Sequence, residues 1–238
     1  MVNKPEKVWC VVAAAGIGSR MQSAVPKQYL PLGSSTVLDA TLERLLLCEK
    51  IEHIVVCIHQ NDNYWQHSKF AQDDRISITF GGSERADSVL NGVSLVKEHA
   101  DLNDWVLVHD AARPCVRCSD INVLINTALK QQVGAILATP IHDTVKKVVN
   151  KKSTQTLDRS ILWRALTPQI FKLDMLNNAL INAIESNRVI TDEASAIEQM
   201  NQAVQIVKGH ADNIKITSPS DLDLARYYLE QQERQVCA

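Results

Sequence analysis

Short apolar runs rich in valine and isoleucine alternate along the chain with segments whose apolar positions recur at helical spacing. This alternation is typical of βαβ units, in which strands buried on both faces form a mostly parallel sheet. The predicted strands cover residues 8–15, 53–59, 76–80, 105–110, 134–141, 204–207 and 214–217. We therefore predict an α/β fold with a Rossmann-like, mostly parallel sheet flanked by helices.

Helical spacing is clear in two segments between the predicted strands. Apolar side chains recur at helical intervals over residues 37–46 and again over 86–96, which predicts two helices that each bury one face. A further helix is expected after Ser218. A serine N-cap, Pro219 at the first helical position and Asp221 three residues after the cap together form a helix-start signal.

One segment departs from this rhythm. Residues 143–159 are polar and lysine-rich, with short alternating runs on either side of a turn-prone centre, which predicts a protruding β-hairpin. A hairpin that stands away from its domain has unpaired edges and is commonly covered by a second subunit. We expect a single domain over residues 1–238, with 142–160 as an arm for dimerisation. A solvated loop is the alternative for this segment.

The first predicted strand runs directly into a glycine loop that carries two cations. Gly16 and Gly18 allow backbone N–H groups to converge on phosphate oxygens, and Arg20 and Lys27 add positive charge. A dinucleotide-binding turn needs a third glycine where Met21 stands, and an acid at the end of the second strand. The loop also lacks the Gly-Lys-Ser/Thr ending of a P-loop. We interpret it as a triphosphate-binding loop of another kind.

Two further strand ends carry suitable residues, and ligands of open parallel sheets bind at the carboxyl ends of the strands. After the third strand, Gly82 follows another glycine and allows close backbone approach to a flat base, while Ser88 offers a hydroxyl. After the fourth strand, Asp110 stands near Arg113, a combination that suits a magnesium ion held against phosphate oxygens. Asp212 is a weaker second candidate for the metal.

The sequence lacks the usual machinery of hydrolysis. Its seven histidines show no metal-binding spacing, and no Gly-x-Ser-x-Gly elbow occurs. A phosphate monoester with a second pKa of about 6 is already an anionic nucleophile, so nucleotidyl transfer to such an acceptor needs no general base. Catalysis then depends on holding two anions in line and neutralising the charge that develops. The cations expected to do so are Arg20, Lys27, Arg113, Arg159 and Lys215.

Charge and cysteine content narrow the class of protein. A net charge of −2 and a pI of about 6.4 argue against a nucleic-acid or membrane surface, which usually carries a broad basic field. The six cysteines are irregularly spaced and lie mostly in apolar segments, which favours reduced thiols and a cytoplasmic location. No segment approaches the ~20 apolar residues that a membrane helix requires.

Seven sequence blocks occur in an order that resembles the 2-C-methyl-D-erythritol 4-phosphate cytidylyltransferases. Each block is weak alone, but together they span nearly the whole chain. The blocks are the glycine loop with Pro26-Lys27-Gln28, the Gly81-Gly82 to Ser88 block, His109 to Pro114, Asp143-Thr144, Leu166 to Gln169, Ile190 to Ala194 and Asn213 to Thr217.

The resemblance implies a fold of the nucleotide-diphospho-sugar transferase type. It implies that CTP and methylerythritol phosphate are joined, with Mg²⁺ as cofactor, to give CDP-methylerythritol and pyrophosphate on the non-mevalonate isoprenoid route. It also implies a homodimer that exchanges arms, in which residues 143–159 of one chain reach the site of the other.

The resemblance implies a role for each candidate residue, in addition to the roles that the residue patterns above give to the loop glycines, the cations and the two aspartates. The residues expected to act in catalysis are Arg20, Lys27, Arg159 and Lys215. Those expected to hold the nucleotide are Ala14, Ala15, Gly16, Gly18, Gly82, Ser88 and Ala111. Those expected to bind the acceptor substrate are Asp110, Arg113, Thr144, Thr167, Thr191 and Thr217. The expected metal ligands are Asp110 and Asp212.

Two alternatives stay open. Ribitol 5-phosphate cytidylyltransferases share the glycine loop and Thr-Pro-Gln, although Asp110 to Arg113 and Thr191 to Ala194 favour the methylerythritol enzymes. The other alternative is a nucleotide-binding regulatory module that has lost its chemistry. The intact set of loop cations argues against that alternative.

Overall fold

The computed structural model describes residues 6–16, 21, 23 and 25–236. Within them the strands are β1 (Val8–Ala13), β2 (Pro31–Leu32), β3 (Ser35–Thr36), β4 (Ile51–Ile58), β5 (Ile76–Phe80), β6 (Trp105–Asp110), β7 (Ala135–Pro140), β8 (Val145–Val149), β9 (Lys152–Leu157), β10 (Trp163–Lys172) and β11 (Gln205–Lys208). The helices are α1 (Val37–Leu46), α2 (Arg85–Lys97), α3 (Cys118–Gln131), α4 (Leu173–Glu185), α5 (Glu193–Glu198) and α6 (Pro219–Val236). Short 3-10 turns cover Lys27–Tyr29, Trp65–His67 and Arg159–Ile161.

Seven of the described strands form the central sheet, in the order β11-β7-β10-β6-β1-β4-β5. Neighbouring strands are parallel except where β10 pairs with β6 and with β7, so β10 runs against the rest. The predicted mostly parallel sheet is confirmed. Because β6, β1 and β4 lie side by side and run the same way, the loops that follow them meet at one edge of the sheet.

Strand β1 shows why the strands appear in the sequence as continuous apolar runs. Cys10 and Val12 pack in an apolar cluster with α1 and α3, whereas Trp9 and Val11 pack in a second cluster with α2 and α4. Helices therefore cover both faces of the sheet, and both sets of alternating side chains must be apolar.

One predicted strand is wrong, and one strand of the sheet was not predicted. Residues 214–217 form no strand: the N–H of Ile216 donates to the carbonyl of Ala112 (2.8 Å), and the apolar alternation there reflects burial against α6. Strand β10 was not predicted, because Arg164 and Pro168 interrupt its apolar pattern. It lies between two strands of the sheet nonetheless, and its register shifts around the proline.

Strands β8 and β9 form the predicted arm. They pair antiparallel with each other in a separate two-stranded sheet, so the hairpin over this segment is confirmed. Asn150 and Lys151 turn the chain with φ values of 48° and 62°, as a tight hairpin turn requires. Val148 and Val149 are 56% and 50% exposed, so the arm presents apolar surface to solvent in the described chain.

The predicted start of α6 is confirmed. The carboxylate of Asp221 accepts the N–H groups of Thr217 and Ser218, both at 2.8 Å, and the helix begins at Pro219. These bonds satisfy backbone donors that the first helical turn cannot pair.

Two observations bear on the environment of the chain. None of the described helices has the length and apolar character needed to cross a membrane. The cysteines in the described residues, which exclude Cys237, are free thiols.

Candidate active site

A cavity of about 180 Å³ opens at the carboxyl ends of β1 and β6. The predicted site residues that line it are Ala14, Ala15, Gly16, Lys27, Gly82, Ser88, Asp110, Ala111 and Lys215. Gly18 and Arg20 lie outside the described residues. The sheet therefore brings most of the predicted nucleotide-binding residues to one place.

The start of the glycine loop is fixed at Ala14. Its N–H donates to the carbonyl of Cys57 near the end of β4 (2.9 Å), and its carbonyl accepts the side-chain amide of buried Gln28 (2.6 Å). The next two N–H groups, of Ala15 and Gly16, donate to no group in the described part of the chain. Both residues line the cavity, so these donors are available to an anion, as the phosphate-binding prediction requires.

Lys27 and Lys215 reach this cavity from distant parts of the sequence. Lys27 begins the 3-10 turn after the glycine loop, and its ammonium donates to the carbonyl of Ile216 (3.1 Å). That bond holds the lysine against the segment before α6, which carries Lys215. Two ammonium groups therefore stand at one cavity, although 188 positions separate the two residues in the chain.

The glycine pair after β5 allows a close approach between backbone segments. A Cβ on Gly81 would lie 2.4 Å from the Cβ of Ala15, and one on Gly82 would lie 2.3 Å from the Cβ of Asp87. The hydroxyl of Ser88 accepts the N–H of Gly82 (3.1 Å) and donates to a carbonyl of the same turn. Ser88 thus shapes this wall of the cavity, and its contact with a nucleotide stays a prediction.

Asp110 lies among three cations. Its carboxylate accepts bonds from Arg85 (3.0 Å), Arg113 (3.2 Å) and Lys215 (3.0 Å). Burial opposes the charged form, but Arg85, Lys215 and Arg113 outweigh it and hold the pKa of Asp110 well below its usual range. Asp110 is therefore an anion that organises cations and is too weak a base to remove a proton.

Sequence reasoning gave no role to Arg85 or Glu193, which the structure places next to Asp110. Arg85, at the first position of α2, forms a two-pronged ion pair with the fully buried carboxylate of Glu193 (2.5 and 3.2 Å). The two residues are far apart in the chain and their pairing has no local signal. The available hint was the opposite charge at the first positions of two helices, α2 and α5.

We expect Arg85→Met to lower the free energy of unfolding by about 3–5 kcal/mol, because it leaves the carboxylate of Glu193 buried and unpaired. The double variant Arg85→Met/Glu193→Leu should recover at least about half of that loss, since no lone buried charge remains. Urea denaturation of the three proteins measures both effects.

Arg226→Met is a suitable control for that series. Arg226 pairs with Asp223 on the exposed surface of α6, so its loss should change stability by no more than about 1 kcal/mol. A double variant less stable than Arg85→Met would contradict the assignment of Glu193 as the buried partner.

A second cavity, of about 250 Å³, adjoins the first. Arg85, Asp110 and Lys215 line both cavities. The predicted acceptor-binding residues that line the second cavity are Asp110, Arg113, Thr167 and Thr191. The arrangement can hold two anionic ligands side by side, with shared cations between them.

The loop that carries Thr191 is fixed by a buried amide. Gln169 on β10 donates to the carboxylate of Asp192 (2.8 Å) and accepts the N–H of Ala194 (2.9 Å). These bonds place Thr191 at the second cavity and Glu193 opposite Arg85. The Gln169 side chain is therefore a structural support that the sequence did not identify as such.

Two predicted site residues have other partners. The hydroxyl of Thr217 donates to Asp221 at the start of α6 (2.9 Å). A carboxylate oxygen of Asp212 accepts bonds from Arg117 (2.6 Å) and Gln232 (3.0 Å), which ties α6 to the domain. Neither residue lines the two cavities, so the geometry does not support Thr217 as a substrate contact or Asp212 as a metal ligand.

Thr144 and Arg159 also lie away from the two cavities of their own chain. Thr144 precedes β8, and Arg159 begins a 3-10 turn after β9, where its guanidinium donates to the carbonyl of His142 (2.6 Å). The structure of one chain therefore does not unite the arm residues with Lys27 and Asp110.

Sequence comparison decides the family. The family model of 2-C-methyl-D-erythritol 4-phosphate cytidylyltransferase matches residues 8–231. The chain belongs to this cytidylyltransferase family. The resemblance expressed by the seven sequence blocks is thereby confirmed.

Similar proteins support the assignment to the cytidylyltransferase family over nearly full length. Enzymes of this name from Aliivibrio fischeri (strain MJ11) and Pseudoalteromonas translucida are 48% and 49% identical. The matched regions cover 98% of this chain and 98% of the first relative, and 99% of this chain and 95% of the second.

Solved structures of similar proteins have the same fold as this chain. The enzyme from Francisella tularensis has a TM-score of 0.82 at 34% identity, and covers 94% of this chain and 100% of its own. A 4-diphosphocytidyl-2C-methyl-D-erythritol synthase has a TM-score of 0.83 at 34% identity, covering 95% and 100%. The predicted fold type is confirmed.

Proposed function

We propose that the chain joins CTP and 2-C-methyl-D-erythritol 4-phosphate to give CDP-methylerythritol and pyrophosphate in the isoprenoid pathway. Membership of the cytidylyltransferase family supports the two substrates. The observation that carries the proposal is the pair of adjoining cavities that share Arg85, Asp110 and Lys215. One cavity begins at the phosphate-binding loop and suits CTP, and the other contains Arg113 and Thr191 and suits the acceptor phosphate.

In the proposed step, a phosphate oxygen of the acceptor forms a bond to the α-phosphorus of CTP. The bond from that phosphorus to the α,β-bridging oxygen breaks, and pyrophosphate leaves with its electron pair. The N–H groups of Ala15 and Gly16 hold the triphosphate, while Lys27 and Lys215 neutralise charge that grows on the α-phosphate. We assign the same role to Arg20, which lies outside the described residues.

This step needs no general base, and the described residues at the centre of the site offer none. The acceptor phosphate is already ionised at neutral pH. Asp110 is held as a carboxylate of low pKa by its three cations. Positioning and charge neutralisation therefore account for the proposed catalysis.

We further propose that Mg²⁺ acts with the triphosphate. Among the described residues no group of three or more metal-ligating side chains occurs, and Mg²⁺ is commonly held by one or two carboxylates together with substrate phosphates. Asp110 is the carboxylate at the junction of the cavities that fits this role, although both its oxygens already accept bonds from cations. When bound, the ion supplies positive charge to the phosphate oxygens.

We also propose that the enzyme works as a homodimer with exchanged arms, in the cytoplasm. The homodimer is supported by the exposed apolar side chains of the arm and its base, among them Val148 and Ile161, which is 77% exposed. Exchange would also bring Thr144 and Arg159 to a partner's acceptor cavity. The free thiols support a reducing compartment.

The experiment that tests the proposed function measures pyrophosphate release from CTP. We expect release with 2-C-methyl-D-erythritol 4-phosphate and little with ribitol 5-phosphate under the same conditions. A preference for ribitol 5-phosphate would identify the other cytidylyltransferase activity. No release with either acceptor would favour a regulatory module.

The preferred nucleotide should be CTP. Gly82 and Ser83 line the first cavity, and we propose that their backbone groups contact the base. A backbone carbonyl can accept a hydrogen bond from the amino group of cytosine but not from the oxygen of uracil. We expect kcat/KM for CTP to exceed that for UTP by roughly tenfold or more with the same acceptor. Equal values would remove the assignment of this wall to the base.

A further inference from the structure

His109 and Thr167 form an internal chain of hydrogen bonds behind Asp110. Both are buried, with 0% and 4% exposure. The N–H of Asp110 donates to the hydroxyl oxygen of Thr167 (3.1 Å), and that hydroxyl lies 2.9 Å from Nδ1 of His109. Nε2 of His109 lies 3.2 Å from the carbonyl of Arg113. The chain therefore joins both ends of the turn that follows β6.

A further pair of bonds closes this chain into a ring. The side-chain amide N–H of Asn213 donates to the backbone carbonyl of Thr167 (2.8 Å), and the backbone carbonyl of Asn213 accepts the guanidinium of Arg113 (2.9 Å). We call His109, Arg113, Thr167 and Asn213 the four-residue network. It links the end of β6, strand β10 and the segment that carries Lys215.

The partners in the network fix the direction of every bond. A carbonyl can only accept, so Nε2 of His109 must carry the proton that is donated to Arg113. In the neutral imidazole Nδ1 is then an acceptor, and it takes the single proton of the Thr167 hydroxyl. The oxygen of Thr167 is left to accept from Asp110. With its hydroxyl engaged in this way, Thr167 has no proton to donate to a substrate.

The surroundings of His109 suit the neutral imidazole. Its ring is fully buried, and burial disfavours the charged form. A protonated imidazole would donate from both nitrogens and turn the Thr167 hydroxyl away. The network is therefore complete only with the neutral Nε2–H form.

We propose that His109 and Thr167 are positioning residues that hold Asp110 and Arg113 in place against the segment of Lys215. The proposal rests on the proposed function, in which Arg113 and Lys215 bind the reacting phosphates. It replaces the expected direct contact between Thr167 and the substrate with an indirect role. The residues act through the backbone of Asp110 and Arg113 and touch no reacting atom.

Thr167→Val keeps the shape of the side chain and removes both of its hydrogen bonds. We expect kcat to fall by roughly tenfold, because the acceptor-side cations lose their fixed positions, while KM for CTP changes by less than about twofold. Thr167→Ser restores the hydroxyl and should stay within about threefold of wild-type kcat. Equal kcat for the valine and serine variants would overturn the proposal.

Thr139→Val is the matched control. Thr139 is buried (6% exposed) at the end of β7, and its hydroxyl has no hydrogen bond to the described residues. Its replacement should leave kcat and both KM values at wild-type levels. A tenfold loss in this variant too would show that the assay reports general repacking and would overturn the specific role of Thr167.

An NMR measurement of the wild-type imidazole nitrogens tests the network without substrate. We expect His109 as the neutral Nε2–H form at neutral pH, because Nε2 faces the carbonyl of Arg113 and Nδ1 faces the hydroxyl of Thr167. An Nδ1–H form would overturn the network, because Nε2 could then not donate to the carbonyl of Arg113. Inactive wild-type protein with the expected NMR result would refute the proposed function and leave the network standing.

Discussion

Lys27→Ala should lower kcat by about 10²–10³-fold, because it removes a fixed cation from the place where charge grows on the α-phosphate. The ammonium lines the nucleotide cavity and is held against the carbonyl of Ile216. Loss of the hydrogen bond to Ile216 should itself cost about 1 kcal/mol of stability, and urea denaturation should show a folded variant. Steady-state pyrophosphate release and urea denaturation on the same preparation separate the two effects.

Lys130→Ala is the control for the loss of a lysine. Lys130 is exposed in the last turn of α3, away from both cavities, and its replacement should leave kcat unchanged. Arg20→Ala should resemble Lys27→Ala if the whole glycine loop serves the triphosphate. Wild-type kcat in Lys27→Ala would assign the loop to structure and remove the proposed charge neutralisation.

Elements of the fold were predictable from the sequence where neighbouring residues encode them, and were missed where they depend on residues far away in the chain. Strands such as β1 are buried on both faces and are short apolar runs in the sequence, and the start of α6 is encoded within four residues. Strand β10 has no such local signal, since Arg164 and Pro168 lie within it. Its place depends on pairing with β6 and β7, which only the assembled sheet shows.

The residues of the site also fall into a group that the sequence predicted and a group that it did not. Residues at strand ends, such as Asp110 and Gly82, were predictable because parallel strands bring their carboxyl ends together. The partner of Arg85 was not predictable, because Glu193 reaches it from a distant loop that the buried amide of Gln169 holds. Hydrogen-bond partners across the fold decide which polar residue meets a substrate and which supports its neighbours.

Mixing two inactive variants should restore activity if the arms are exchanged. Lys27→Ala removes a cation at one chain's nucleotide cavity, and Arg159→Ala removes one from the arm that we propose reaches the partner's acceptor cavity. Each homodimer should be nearly inactive. In a hybrid dimer, one site carries both lesions and the other carries neither. Random exchange of equal amounts makes about half of the dimers hybrid, so activity should approach roughly a quarter of the wild-type value.

A second mixture serves as the control for complementation. Lys27 and Lys215 line the same cavity of one chain, so a hybrid of Lys27→Ala with Lys215→Ala has one lesion in each site and should show no recovery. Native mass spectrometry of differently tagged chains establishes that hybrids have formed in both mixtures. Confirmed hybrids of Lys27→Ala and Arg159→Ala without recovery would show that Arg159 does not serve the partner's site. The hairpin of β8 and β9 would then be a solvated projection, because no partner site would depend on it.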